Sequence, residues 1–138
     1  MAASRDDIVK EVLTWVGTPF HDCADVKGAG VDCGMLLVRV FCDLDILPLF
    51  DPRPYKPQWF QHRDEPLYLG WLAKYAHKVE QPGLGDVAMY NFGRHAAHAA
   101  IIVGPGAIVH AFKPAGRVIR DDMRHLESRL DSFWSVFK

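Results

Sequence analysis

The sequence predicts an α+β domain, with helices first and an antiparallel sheet after them, because the period of its apolar residues changes once along the chain. From Arg5 to Phe41 they recur at helical spacing, and after Pro82-Gly83 the period shortens towards two. Helices and strands thus come in blocks and do not alternate, which separates α+β from a parallel α/β sheet. With 138 residues, the chain is long enough to bury a core without staples, and 1–138 reads as a single domain.

The first helix is expected over Arg5–Trp15, capped by Ser4, with Ile8, Val9, Val12, Leu13 and Val16 on one face. Gly17-Thr18-Pro19 ends it, and a loop from Phe20 to Gly30 leads to a second helix. There Asp32 is a good N-cap, and the run from Cys33 through Phe41 is apolar on nearly every side. That pattern marks the central helix of the fold. Residues 45–66 carry Pro48, Pro52, Pro54, Pro57 and Pro66 among aromatics and charges, a composition that resists regular structure. Tyr55, Trp59 and Phe60 either wall a groove from this excursion or pin it to the core. Leu67–Val79 returns to helical spacing and is expected as a third helix. Five strands follow, at Asp86–Phe92, Ala97–Val103, Ala107–Phe112, Arg117–Asp121 and Ser132–Phe137, punctuated by Gly, Pro or charge as in a meander.

The charge balance, 16 basic against 17 acidic residues, gives no electrostatic case for nucleic acid or an anionic membrane. Met1–Lys10 lacks the apolar core of a signal peptide, and no run reaches bilayer length, so membrane insertion is not expected. The three cysteines, Cys23, Cys33 and Cys42, have no Cys-x-x-Cys spacing, and reduced thiols are the expected state.

Chemistry centres on Gly30-Val31-Asp32-Cys33-Gly34. A thiol in the first turn of a helix faces unpaired N–H groups and the positive end of the macrodipole, which favour thiolate. The alternative is a small buried hydrophobe. A nucleophilic thiol needs a base and a group to orient it. Among seven histidines, His98 and His110 stand out, because they flank Gly104-Pro105-Gly106 on two expected strands. If paired residue numbers in that hairpin have an even sum, the two side chains share one face, opposite or one diagonal step apart. A two-residue turn makes the sum odd and sends them to opposite faces.

The motifs Gly17-Thr18-Pro19-Phe20, Gly30-Val31-Asp32-Cys33-Gly34, Leu84-Gly85-Asp86-Val87-Ala88, His98-Ala99-Ala100-Ile101-Ile102-Val103-Gly104 and Ile108-Val109-His110-Ala111 run in order over residues 8–135. Together they resemble the NlpC family of bacterial cell-wall cysteine peptidases. The run Lys27-Gly28-Ala29-Gly30, with no signal peptide or wall-binding domain, is similar to the phage-encoded branch of tail and tail-assembly proteins. The resemblance implies a papain-like fold with Cys33 as nucleophile, His98 as general base and acid, and His110 as the orienting third residue. It implies an oxyanion hole that includes the Cys33 amide, no cofactor and no metal. The substrate it implies is the peptidoglycan stem peptide, cut between the γ-carboxyl of D-glutamate and the diamino acid, with other phage tail proteins as partners. The chain would be made in the cytoplasm and reach the wall in a phage or prophage particle. Phe20 departs from the family tyrosine whose hydroxyl lies near the thiol, which leaves His21 or a water to stand in, or a weaker oxyanion hole.

Other residues carry less. Asp32 reads as a cap and Asp86 as structural, His95 falls in the turn Gly93-Arg94-His95, and Cys23 and Cys42 read as inert thiols. His21, His62, His77 and His125 have no evident partner. Three rival readings stand beside the peptidase: a tail component that has kept the fold without turnover, a zinc site on Cys33, His98 and His110, and an acyltransferase or deamidase using the same trio.

Overall fold

The structure, a computed structural model, describes residues 3–48, 72–92 and 95–137. Helix α1 spans Arg5–Leu13 and opens with a capping box in which Ser4 and Asp7 each bond the other's backbone N–H. It ends two residues before the expected Trp15, in a turn that still buries the Trp15 ring. Ile8 and Val12 face the core, and Arg5 reaches across to Asp86, with Nη1 donating to Oδ1 at 2.8 Å. Asp86 also accepts from the Gly83 amide, so it is a structural clamp, as its place in the sequence suggested.

Residues 17–21 are a stitch. The Gly17 amide donates to Val118, the Phe20 amide to Gly116, and Val118 donates back to Thr18, so this segment lies along the strand that contains Val118. On its other side Val31 donates to Pro19 and His21 donates to Val31. Val31 belongs to a small hairpin of β1 (Asp25–Val26) and β2 (Gly30–Val31) inside the expected loop. A Cβ on Gly30 would stand 2.9 Å from the His21 Cβ, which is why the backbone needs glycine there. Helix α2, Cys33–Asp43, follows directly. Its burial on nearly every side matches the apolar pattern, and Arg39 reaches out, to Asp25 and to exposed Asp43 at the helix end.

Of the excursion, 45–48 form a turn and 49–66 lie outside the described residues, Tyr55, Trp59, Phe60 and His62 among them. The expected helix Leu67–Val79 needs correction. Residues 72–75 are helical and 67–71 lie outside the described residues, but β3 (His77–Val79) is a strand paired with β8 (Leu130–Ser135). Long-range pairing overrides a local helical period there.

The remaining strands are β4 (Val87–Phe92), β5 (His95–Gly104), β6 (Ala107–Phe112) and β7 (Arg117–Asp122). Among the described residues the sheet is therefore six-stranded, not five-stranded, in the order β3-β8-β4-β5-β6-β7. The meander holds only from β4 to β7, and β8 returns to pair with the outer side of β4. One face packs on α1 and α2 through Met89, Ala99, Ile101, Val109 and Val118. The other gathers Tyr90, Ala100, Ile102, Ile108 and Phe112 under Leu126 of the 3₁₀ segment Met123–Arg129.

Candidate active site

Asp32 is 4% exposed and spends both carboxylate oxygens on backbone: Oδ1 accepts from the Met35 amide at 2.9 Å, and Oδ2 from the Cys23 amide at 2.7 Å. It caps α2 and anchors the preceding loop at Cys23, whose φ is +63°. Cys33 is the first residue of the helix, and its sulfur accepts hydrogen bonds from the amides of Ala99 and Gly34, with its own amide close by. The Ala99 bond follows from how the sheet ends. Pairing of β5 with β6 runs only from Gly104/Ala107 to Ile101/Val109. Ile102 turns both its N–H and its C=O towards the β4 side, bonding Asp86 and Gly85, so the Ala99 amide points the other way, into the space where β5 and β6 part. There it meets the thiol. The sulfur is thus held by the peptide unit that follows His98.

Burial, with the Asp32 charge added to it, pushes the Cys33 thiol up to about 12, and the three amides only partly offset this. The expectation that the helix terminus would favour thiolate is therefore not met: desolvation and the Asp32 charge outweigh the neighbouring amides, and the resting group is a neutral thiol.

Across the sheet, His98 Nε2 and His110 Nδ1 stand 2.7 Å apart. Both rings are buried, at 8% and 0% exposure, among aromatics. Phe92 meets His98 edge-on at 5.4 Å, and His110 stacks on Phe112 at 4.8 Å. Burial lowers the pKa of His98 to about 3, with His110 adding to the shift, and burial lowers that of His110 despite the neighbouring carboxylate. Both imidazoles are neutral near pH 7.

The pairing depends on a bulge. The tip Pro105-Gly106 is a two-residue turn, with Gly104 opposite Ala107 and an odd sum of 211. The register then shifts at Val103, so that Ile102 opposes Ile108 and the sum becomes 210. With an even sum, His98 and His110 share a face, one diagonal step apart.

Two further residues complete the cluster. Asp121 Oδ2 lies 3.0 Å from His110 Nε2 and 2.7 Å from His125 Nδ1. His125, which had no evident partner in the sequence, has one here, and its ring meets Phe112 edge-on at 5.5 Å. Asp121 was legible by the same alternation that linked the histidines: it sits opposite Ile108, two residues along β7 from Ile119, which opposes His110. Tyr90, opposite His98 on β4, was also missed; burial and the Asp121 charge push its hydroxyl up to about 12, so it stays neutral.

Phe20 is half-buried against the core beside the helix mouth, and His21 is exposed. The amides of both are spent, on Gly116 and Val31, so neither offers a backbone donor. His95 opens β5 opposite Phe92 and is not a turn residue. The zinc reading fails on geometry: the facing nitrogens at 2.7 Å leave no room for an ion between them, since each Zn–N bond needs about 2.0–2.1 Å. Cys23, Cys33 and Cys42 are all thiols, and no described helix is long and apolar enough to cross a membrane.

No family model matches the sequence, and no curated protein matches it. Solved structures do. The NlpC/p60 domain of the peptidoglycan hydrolase SagA superposes with a TM-score of 0.66 at 20% identity, over 96% of this chain and 99% of that one. NlpC2 from Trichomonas vaginalis gives 0.67 at 15% identity, over 98% of this chain and 49% of that one. The peptidoglycan hydrolase RipB from Mycobacterium tuberculosis gives 0.62 at 17% identity, over 97% and 65%. Likeness at these identities is likeness of fold, and it agrees with the order of elements found here: the chain has the papain-like α+β fold of NlpC/p60 domains, N-terminal helices packed on an antiparallel sheet.

Proposed function

We propose that the protein is a cysteine peptidase that hydrolyses an amide bond of peptidoglycan stem peptides, between D-glutamate γ-carboxyl and the diamino acid, with Cys33, His98 and His110 as its machinery. The observation that carries this is the thiol at the mouth of α2, hydrogen-bonded by the peptide unit after His98, with the two imidazoles 2.7 Å apart. Two fold neighbours are themselves described as peptidoglycan hydrolases, which supports the substrate class.

Because thiol and imidazole are both neutral at rest, the sulfur attacks the carbonyl carbon as its proton passes to His98. In this reading the Cys33 amide at the helix mouth receives the oxyanion. Collapse breaks the C–N bond, and His98 returns the proton to the leaving amine. Water then attacks the thioester, with His98 again taking a proton, and releases the acid and the thiol.

The run Lys27-Gly28-Ala29-Gly30 supports assignment to the phage tail branch. A second reading, a tail component with weak or no turnover, is favoured by two observations: the thiol is held protonated, and Phe20 brings no hydroxyl to the helix mouth.

Mass spectrometry of fragments released from purified peptidoglycan, and from a free tetrapeptide stem, separates the two. The peptidase yields fragments ending in γ-D-glutamate that are absent with Cys33→Ala. No fragments from the unsubstituted protein would leave the structural reading.

A further inference from the structure

The geometry points to Asp121 as a positioning residue that fixes which nitrogen of His98 is left bare to act as base. The inference rests on the catalytic reading of His98 but is decided by proton positions that can be measured without turnover.

Two imidazole nitrogens 2.7 Å apart share one proton, since two bare nitrogens repel and two N–H groups clash. Two arrangements satisfy this. Either His98 Nε2–H donates to His110 Nδ1, or His110 Nδ1–H donates to His98 Nε2. In the second, a neutral His110 presents a bare Nε2 to Asp121 Oδ2 at 3.0 Å, acceptor against acceptor. Asp121 cannot relieve that contact by carrying a proton. Its Oδ1 accepts from the Asp122 amide at 2.8 Å, and its Oδ2 faces His125 Nδ1 at 2.7 Å, a contact in which an ionised carboxylate is the acceptor from Nδ1–H. Burial opposes its ionisation, but the bonds from His125, the Asp122 amide and His110 outweigh burial and hold its pKa below the ordinary carboxylate range.

Asp121 is therefore an acceptor, His110 donates to it through Nε2–H, and His110 Nδ1 is bare. His98 must then donate through Nε2–H, which leaves its Nδ1 without a proton, the bare nitrogen that the proposed mechanism requires of its base. The carboxylate acts on the base through one intervening ring, and His125, half-exposed, holds the carboxylate in place. No covalent step is added; the order of protons along Asp121, His110 and His98 is set before substrate arrives.

The test is two-bond ¹H–¹⁵N correlation NMR of the histidine rings at neutral pH, on the unsubstituted protein and on Asp121→Asn. The expected result is a single Nε2–H tautomer for both His98 and His110, giving way to mixed tautomers in Asp121→Asn, whose amide both accepts and donates. A His110 Nδ1–H in the unsubstituted protein would overturn the proposal, and so would His98 tautomers unchanged by Asp121→Asn. If that variant does not fold, the spectrum of the unsubstituted protein still decides. On a cleaved stem peptide, kcat/KM in Asp121→Asn falls about 10- to 100-fold, short of the ~10⁴ seen when an aspartate acts directly on the base histidine. Absence of cleavage by the unsubstituted protein would instead remove the peptidase reading and leave the tautomer result standing.

Discussion

His98 and His110 face each other at 2.7 Å because Val103 is one residue too many for its hairpin. Were Val103 paired with Ile108, the odd sum set by the Pro105-Gly106 turn would run the length of both strands. One imidazole would then enter the α2 core and the other would stay under Leu126. The bulge absorbs a single residue and keeps the pair together.

His110 joins His98 to the Asp121 carboxylate, so its loss is felt on both sides. In His110→Phe a phenyl ring refills the space against Phe112 but leaves the His98 N–H and the Asp121 carboxylate short of a partner. The expected cost is about 1–3 kcal/mol of stability, read from urea unfolding. If the protein is the proposed peptidase, stem-peptide cleavage should fall about 10²- to 10⁴-fold, the span expected for general base catalysis.

Acid weakens the fold through His98. Its folded pKa, about 3, lies below that of the unfolded chain, so the unfolded state binds the extra proton over the interval between them. Stability contributed by the neutral ring is complete above the ordinary histidine range and declines as pH falls towards 3, by about 1.4 kcal/mol per pH unit. Denaturation midpoints measured between pH 7 and pH 4 should show this slope, and His98→Phe should reduce it.

Alkali acts on Cys33 with the opposite sign. The thiol is raised to about 12, so the folded state keeps a proton that the unfolded state gives up above the ordinary thiol range, and stability declines as pH rises there. In the substrate-free protein, iodoacetamide should alkylate Cys33 more slowly than a model thiol at neutral pH. The rate should still be climbing where the model thiol has reached its plateau. Peptide mapping by mass spectrometry reads both rates.

Gly30→Ala tests the stitch that delivers the helix mouth. The new Cβ meets the His21 Cβ at 2.9 Å and the Ala24 Cβ at 3.3 Å, and both are fixed to backbone. Thermal unfolding should report a loss of about 1–3 kcal/mol. Turnover should fall with it, because β2 hands the chain directly to Asp32 and Cys33.

Much of this was legible in the sequence where the signal is local. Ser4 and Asp32 announce their caps, α2 announces its burial, and the β6 boundaries follow from Gly-Pro punctuation. What escaped depends on partners distant in the chain. His77–Val79 is a strand only because β8 comes back to it, and the Cys33 thiol is neutral because the assembled fold partly buries it beside the Asp32 charge, which a reading of the helix terminus alone does not include. Asp121 lay within reach of alternation, but only once the β6–β7 register was known.

The stitch of residues 17–21 also bears on how the molecule keeps to itself. β7, which carries Asp121, would otherwise end the sheet with a row of open backbone groups, the usual template for a second chain. Thr18 and Phe20 occupy part of that row, and the outer side of the segment is taken in turn by Val31 of β2, which donates to Pro19 and accepts from His21. At the far side the described edge is β3, three residues long with exposed His77 and Lys78. A neighbour seeking to extend the sheet along Gly116 and Val118 would first have to peel away the segment that leads to the cysteine, so crowding at that end of β7 and loss of the site would be the same event.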